Sequence, residues 1–78
     1  MGKKAAPPPN TFLGRFGSIV RRYREAAGLS VNDLAEAMGI WPGSVYKWEA
    51  GGSAPPLADL PKLAEVLGVK VRSLLPRE

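Results

Sequence analysis

Val31-Asn32-Asp33-Leu34-Ala35-Glu36-Ala37-Met38-Gly39-Ile40-Trp41-Pro42-Gly43-Ser44-Val45-Tyr46-Lys47-Trp48-Glu49 is the stretch whose reading decides the fold. Leu34, Ala35 and Met38, and then Val45 and Trp48, recur at the three- and four-residue spacing that lines one face of a helix. Between the two runs the chain must reverse in about three residues, and Gly39 offers the positive φ such a turn demands without steric cost. Pro42 suits the first turn of the second run, where its missing N–H would have no intrahelical partner. Ala35 is small enough for two helices to cross closely at a steep angle. Leu34, Met38, Ile40, Val45 and Trp48 then face a common core, which predicts two short helices joined by a tight turn.

On either side the same helical punctuation continues. Leu13, Phe16, Val20, Tyr23 and Ala27 form a stripe that predicts a first helix, ended by Gly28. Ser30 is the N-cap of the second helix, with Asn32 and Asp33 at the positive end of its dipole. After the loop Ala50 to Pro56, a fourth helix is expected to start near Asp59 or Leu60, tolerate Pro61 in its first turn and stop at Gly68, with Leu60, Leu63, Ala64 and Leu67 inward. Val71 to Leu75 is expected to form a last short turn of helix, halted by Pro76. No stretch alternates with a period of two, so the fold class is all-α. Residues 1–11, which contain Lys3, Lys4 and Pro7-Pro8-Pro9, are expected to be a flexible basic arm, and residues 12–78 the folded domain.

Composition narrows the function. The 78 residues allow one small domain. With no Cys and no His, disulfides, thiol chemistry and a histidine base are unavailable and a zinc site is disfavoured, so neither a catalytic site nor a metal or other cofactor is expected. No apolar run is long enough to span a bilayer and no signal-peptide pattern opens the chain; Met1-Gly2 begins a myristoylation-like start, but Ala6 stands where Ser or Thr is needed. A cytoplasmic protein without a membrane partner is expected. The formal charge is +4, and it is uneven: residues 1–29 carry Lys3, Lys4, Arg15, Arg21, Arg22 and Arg24 against Glu25 alone, whereas in residues 30–50 Asp33, Glu36 and Glu49 outnumber Lys47. A basic field suits a polyanion, and equally a plainly solvated surface.

The helix-turn-helix pattern, taken with Arg24, Gly28-Leu29-Ser30, Leu34-Ala35, Met38-Gly39-Ile40, Ser44-Val45, Trp48-Glu49, Gly51, Leu63-Ala64, Leu67-Gly68-Val69 and Leu74-Leu75, resembles the Cro/phage-repressor family, also called XRE-like. The resemblance runs from Leu13 to Leu75 in one register. It implies a five-helix domain whose third helix enters the major groove of double-stranded DNA, commonly as a dimer on operator half-sites. It further implies that Arg24 and Glu49 form a partly buried ion pair. Ser30 with the amides of Val31 and Asn32 would meet one phosphate, and the loop amides of Gly51, Gly52 and Ser53 another; ordinary capping and turn chemistry would use the same residues. Base reading would fall to Trp41, Pro42, Gly43, Tyr46 and Lys47, with Ser44 beside them. Here the chain departs from the family: Val31 replaces the usual Gln at the start of the second helix, and Trp41-Pro42-Gly43 replaces Ser or Thr followed by Gln or Arg. Trp41 either touches DNA or folds back on the domain, and Tyr46 either touches DNA or faces solvent.

The expected function is therefore a sequence-specific transcriptional regulator; the alternative is a protein-interaction module on the same fold, with Trp41, Tyr46 and the apolar C-terminal end meeting a protein partner. A weak homodimer is expected through Val69, Val71, Leu74 and Leu75, which so short a domain leaves little to cover. Ser44-Val45-Tyr46-Lys47 fits the S-x-x-K pattern of penicillin-binding enzymes, but the chain lacks their other motifs and their length. Asp33 and Glu36, three apart on a helix, read as a solvated face rather than a catalytic pair.

Overall fold

A computed structural model describes residues 11–77. The expected arm lies outside the described residues except for its last member, Thr11. Among the described residues five α-helices follow one another: α1 (Phe12–Ala26), α2 (Val31–Met38), α3 (Pro42–Glu49), α4 (Leu60–Leu67) and α5 (Val71–Leu74), with a 3-10 turn at Leu57–Asp59 leading into α4. There is no strand among the described residues.

Local chemistry sets the ends. The Thr11 side chain accepts from the Gly14 amide and opens α1. At its far end the Leu29 amide donates back to the Arg24 carbonyl at 3.1 Å and that of Gly28 to Glu25 at 3.0 Å, closing the helix. Ser30 and Asp33 form a reciprocal cap on α2: the Ser30 hydroxyl accepts from the Asp33 amide and the Asp33 carboxylate from the Ser30 amide, each at 2.9 Å. Gly39 ends α2 at φ +73°, a conformation costly for any residue with a Cβ, and the Ile40 amide returns to the Ala35 carbonyl. Pro42 is the first residue of α3, as its sequence position predicts.

Phe16, Val20, Val31, Leu34, Ala35, Met38, Val45, Trp48, Leu60, Leu63, Ala64, Leu67 and Leu74 form one buried cluster. Full burial of a Leu- or Phe-sized side chain contributes roughly 1.5–3 kcal/mol, so this cluster carries most of the fold's stability. The inward face of α1 differs from the predicted stripe. Leu13 and Ala27 are exposed, while Gly14 and Gly17 are buried beside Phe16, Val20 and Arg24. The cause is a direct approach of backbones: a Cβ on Gly17 would overlap the Trp48 carbonyl oxygen and lie 2.9 Å from that of Glu49. Thus α1 rests on the end of α3 through a glycine, and the glycine contact sets how the stripe is turned.

Leu74 requires a second correction. It is fully buried, covered by its own domain, and so is not part of an exposed dimerisation surface. A four-residue helix contributes few side chains, and the one at position 74 completes the core against α4 and α1. Val69 and Val71 are half-buried against the same core, and only Leu75 is exposed.

Candidate nucleic-acid interface

The inner side of α3 is anchored by Val45 and Trp48, which are 0% and 5% exposed. Its outer side is bare: Trp41 is 80% exposed, Tyr46 60%, and Gly43 and Lys47 are also exposed. Trp41 therefore does not fold back on the domain. It occupies the N-cap of α3 without a side-chain hydrogen bond to the helix, a place that Ser or Thr would fill with a capping hydroxyl. Pro42 and Ser44 are half-buried, and the Ser44 amide donates to the Trp41 carbonyl at 3.0 Å.

The end of α3 is fixed by the ion pair that the family resemblance implies. Arg24 Nε donates to Glu49 Oε2 at 2.6 Å and Nη2 to Oε1 at 3.0 Å, a two-pronged contact, and Nη1 donates to the Leu29 carbonyl at 2.8 Å. The two side chains are only 11% and 10% exposed. Hydrogen bonding to Glu49 raises the Arg24 pKa above its ordinary value, against the opposing effect of burial. A carboxylate at a helix C-terminus faces the negative end of the dipole, and the guanidinium compensates for that placement. The Leu29 carbonyl, as third partner of Arg24, is not foreseen by sequence reasoning; a loop carbonyl carries no side-chain signal.

The candidate phosphate contacts fare unevenly. Val31 is buried, so only its amide can face a ligand, while Asn32 is exposed. The Ser30 hydroxyl is already engaged in the cap, and its partner Asp33 places a carboxylate at the positive end of α2. The backbone hydrogen bond from Ser30 holds the Asp33 carboxyl below its usual pKa. In the loop after α3, the Gly51 amide donates to the Trp48 carbonyl at 3.1 Å and that of Gly52 to Lys47 at 2.9 Å. Those two amides close the helix instead of standing free for a phosphate, because orphan carbonyls at a helix end take the nearest donors. Ser53, half-buried, has no such backbone bond among the described residues. Lys47 is the sole base on α3, and no helix among the described residues is long and apolar enough to cross a membrane.

Comparison with known proteins agrees with this geometry. The helix-turn-helix family profile matches residues 20–74. The SPbeta prophage-derived uncharacterized HTH-type transcriptional regulator YonR of Bacillus subtilis (strain 168) is 35% identical over 60 residues, which are 77% of this chain. The match spans 56% of that relative's length. Among solved structures, the restriction-modification controller protein C.AhdI from Aeromonas hydrophila superimposes with a TM-score of 0.75 at 35% identity, over 81% of this chain and 96% of that one. The hydroxypropylphosphonic acid epoxidase of S. wedmorenis also matches, with a TM-score of 0.78 at 30% identity, but over only 35% of its own chain, so that likeness concerns one portion of an enzyme. On the matched residues and the anchored, outward-facing third helix, this chain belongs to the XRE-type helix-turn-helix family.

Proposed function

We propose that the chain occupies an operator by laying α3 in the major groove, and that it is a binding protein rather than an enzyme, acting in the cytoplasm. The observation that carries this reading is the asymmetry of α3: its inner side is locked by Val45, Trp48 and the Glu49–Arg24 pair, while Trp41, Tyr46 and Lys47 project unopposed. A helix held from behind presents its outer side chains at fixed spacing, which groove reading requires. Lys47 reaches a guanine edge or the adjoining phosphate; Trp41 and Tyr46 lie against thymine methyls or sugars, and Pro42, Gly43 and Ser44 keep the backbone close to the bases. The amides of Val31 and Asn32, together with Ser53, supply backbone phosphate contacts. Two copies meet weakly through Val69 and Val71, in keeping with a two-fold operator.

Selection of a site from random duplex, followed by anisotropy titrations of that site and a scrambled one across a salt series, tests the proposal. Lys47→Ala is expected to lower affinity for the selected site by roughly 10-fold or more, about 1.4 kcal/mol. Two chains per site are expected at saturation. If Lys47→Ala leaves both affinities and their ratio unchanged, α3 is not the reading helix, and the exposed Trp41 and Tyr46 belong to a protein contact instead.

A further inference from the structure

The strongest concentration of unpaired positive charge lies away from α3. An open groove of about 650 Å³ between α1 and the C-terminal segment is lined by Arg22, Arg72 and Arg77, with Ile19, Tyr23 and Leu75 as its apolar part. A hollow of about 220 Å³ continues it and shares Ile19, Arg22 and Arg77, adding Arg15. Among the described residues, no acidic side chain lines either hollow and none of these four arginines takes part in an ion pair. The Nε of Arg15 is buried and has no hydrogen-bond partner among them. At 3.6 residues per turn, Arg15, Ile19 and Arg22 sit about half a turn around α1 from Gly17, the residue against α3. The groove therefore lies on the side of α1 turned away from its contact with α3.

We infer that this groove is a docking site for an acidic segment of a partner protein, in which Asp or Glu residues flank one large apolar side chain. Charge complementarity carries the choice. Guanidinium groups around an apolar floor match carboxylates by two-pronged hydrogen bonds, while Ile19, Tyr23 and Leu75 take the apolar side chain between them. A second copy is a poor occupant, because a two-fold interface sets the same arginines against one another. Residues 1–10 are equally unsuited, since they carry Lys3 and Lys4 and no acid.

The test uses the full chain and a fluorescein-labelled peptide of about twelve residues in which glutamate pairs flank a leucine and a phenylalanine, read by anisotropy. The expected result is saturable, salt-weakened binding in the micromolar range, reduced about 10-fold or more in Arg22→Glu/Arg77→Glu. Lys62→Glu/Lys70→Glu removes the same charge outside the groove and is expected to change affinity less than about threefold, and oligoglutamate of equal length to bind several-fold more weakly for lack of an apolar anchor. All four substituted residues are exposed, and thermal denaturation verifies that the variants fold. Absence of saturable binding up to about 1 mM peptide, or equal losses in the two double variants, overturns the proposal. So does a loss of duplex DNA affinity in Arg22→Glu/Arg77→Glu well beyond that in Lys62→Glu/Lys70→Glu, which would make the groove a nucleic-acid surface.

Discussion

Replacing Glu49 with alanine removes the two-pronged partner of Arg24 and leaves the guanidinium where it was, 11% exposed, with only the Leu29 carbonyl still accepting from it. Breaking a buried ion pair by deleting one member costs about 3–5 kcal/mol, mostly because the remaining charge is left desolvated. The surviving bond to Leu29 and the narrow access to water put this case at the lower end, about 3 kcal/mol. For a domain of this size, that corresponds to a fall in Tm of roughly 12–24 °C. Arg24→Met/Glu49→Leu removes both charges and keeps apolar volume, so its cost is expected to be only about 1 kcal/mol, set by the Leu29 carbonyl losing its donor. Urea denaturation of the double variant and its two single substitutions gives the coupling energy directly, and a value of at least about 2 kcal/mol is expected. A coupling below about 0.5 kcal/mol would refute the reasoning, since exposed pairs behave in that way and the burial of this pair would then carry no energetic weight.

Gly17→Ala is expected to cost about 3 kcal/mol in denaturant titrations, at the top of the range for overpacking, because the new methyl meets two backbone carbonyls that cannot swing aside. Gly43→Ala meets nothing within 4 Å and is expected to stabilise by about 0.5 kcal/mol through helix propensity alone; equal effects at the two glycines would contradict the close approach of α1 and α3. The Asp33 pKa lies below its ordinary value of 3.8, so its contribution to stability is full above that pH and is lost as pH falls through the lower folded value. Asp33→Ala is expected to flatten the acid limb of the stability profile there, and Asp33→Asn to strengthen DNA binding at low salt by removing a carboxylate from the phosphate-facing end of α2; unchanged DNA affinity would place that end away from the duplex.

The elements were largely legible because their ends are written in single residues. Gly39 and Pro42 bracket the turn, Gly28 and Gly68 stop α1 and α4, and Ser30 caps α2. The pairing of Arg24 with Glu49 is different in kind: the two are 25 residues apart, and no local spacing connects them, so only the register of the family resemblance joins them. Helix faces were legible where large side chains dominate, as in α2 and α4, and misleading in α1. There the contact with α3 is made by an absent side chain, which a hydrophobic pattern cannot register. The signal was nevertheless present: Gly14 and Gly17, three apart inside a helix, each cost roughly 1 kcal/mol relative to alanine and so demand a packing reason. Leu74 reads as a surface residue for the opposite cause, since a four-residue helix shows too little pattern to tell a core residue from a surface one.

The distribution of charge bears on how such a domain would read DNA. Residues 30–50, which hold α2 and α3, carry Asp33, Glu36 and Glu49 against Lys47, and Glu49 is neutralised by Arg24. The proposed reading face thus has Lys47 as its one charge, with Asp33 and Glu36 opposing it from α2, whereas proteins that neutralise about 6–10 phosphates lose affinity steeply with salt. Binding through α3 should therefore depend on salt only weakly per chain. Discrimination would rest on Trp41 and Tyr46 against thymine methyls and on backbone amides, contacts that salt does not screen. Counterion release would then fall mainly to Lys3 and Lys4, which lie outside the reading helix and add affinity without regard to sequence. Since Arg15, Arg22, Arg72 and Arg77 lie around the far side of α1, the chain's net positive charge does not measure its hold on DNA; a slope of log affinity against log salt near that of a few phosphates, rather than of eleven bases, follows from their placement.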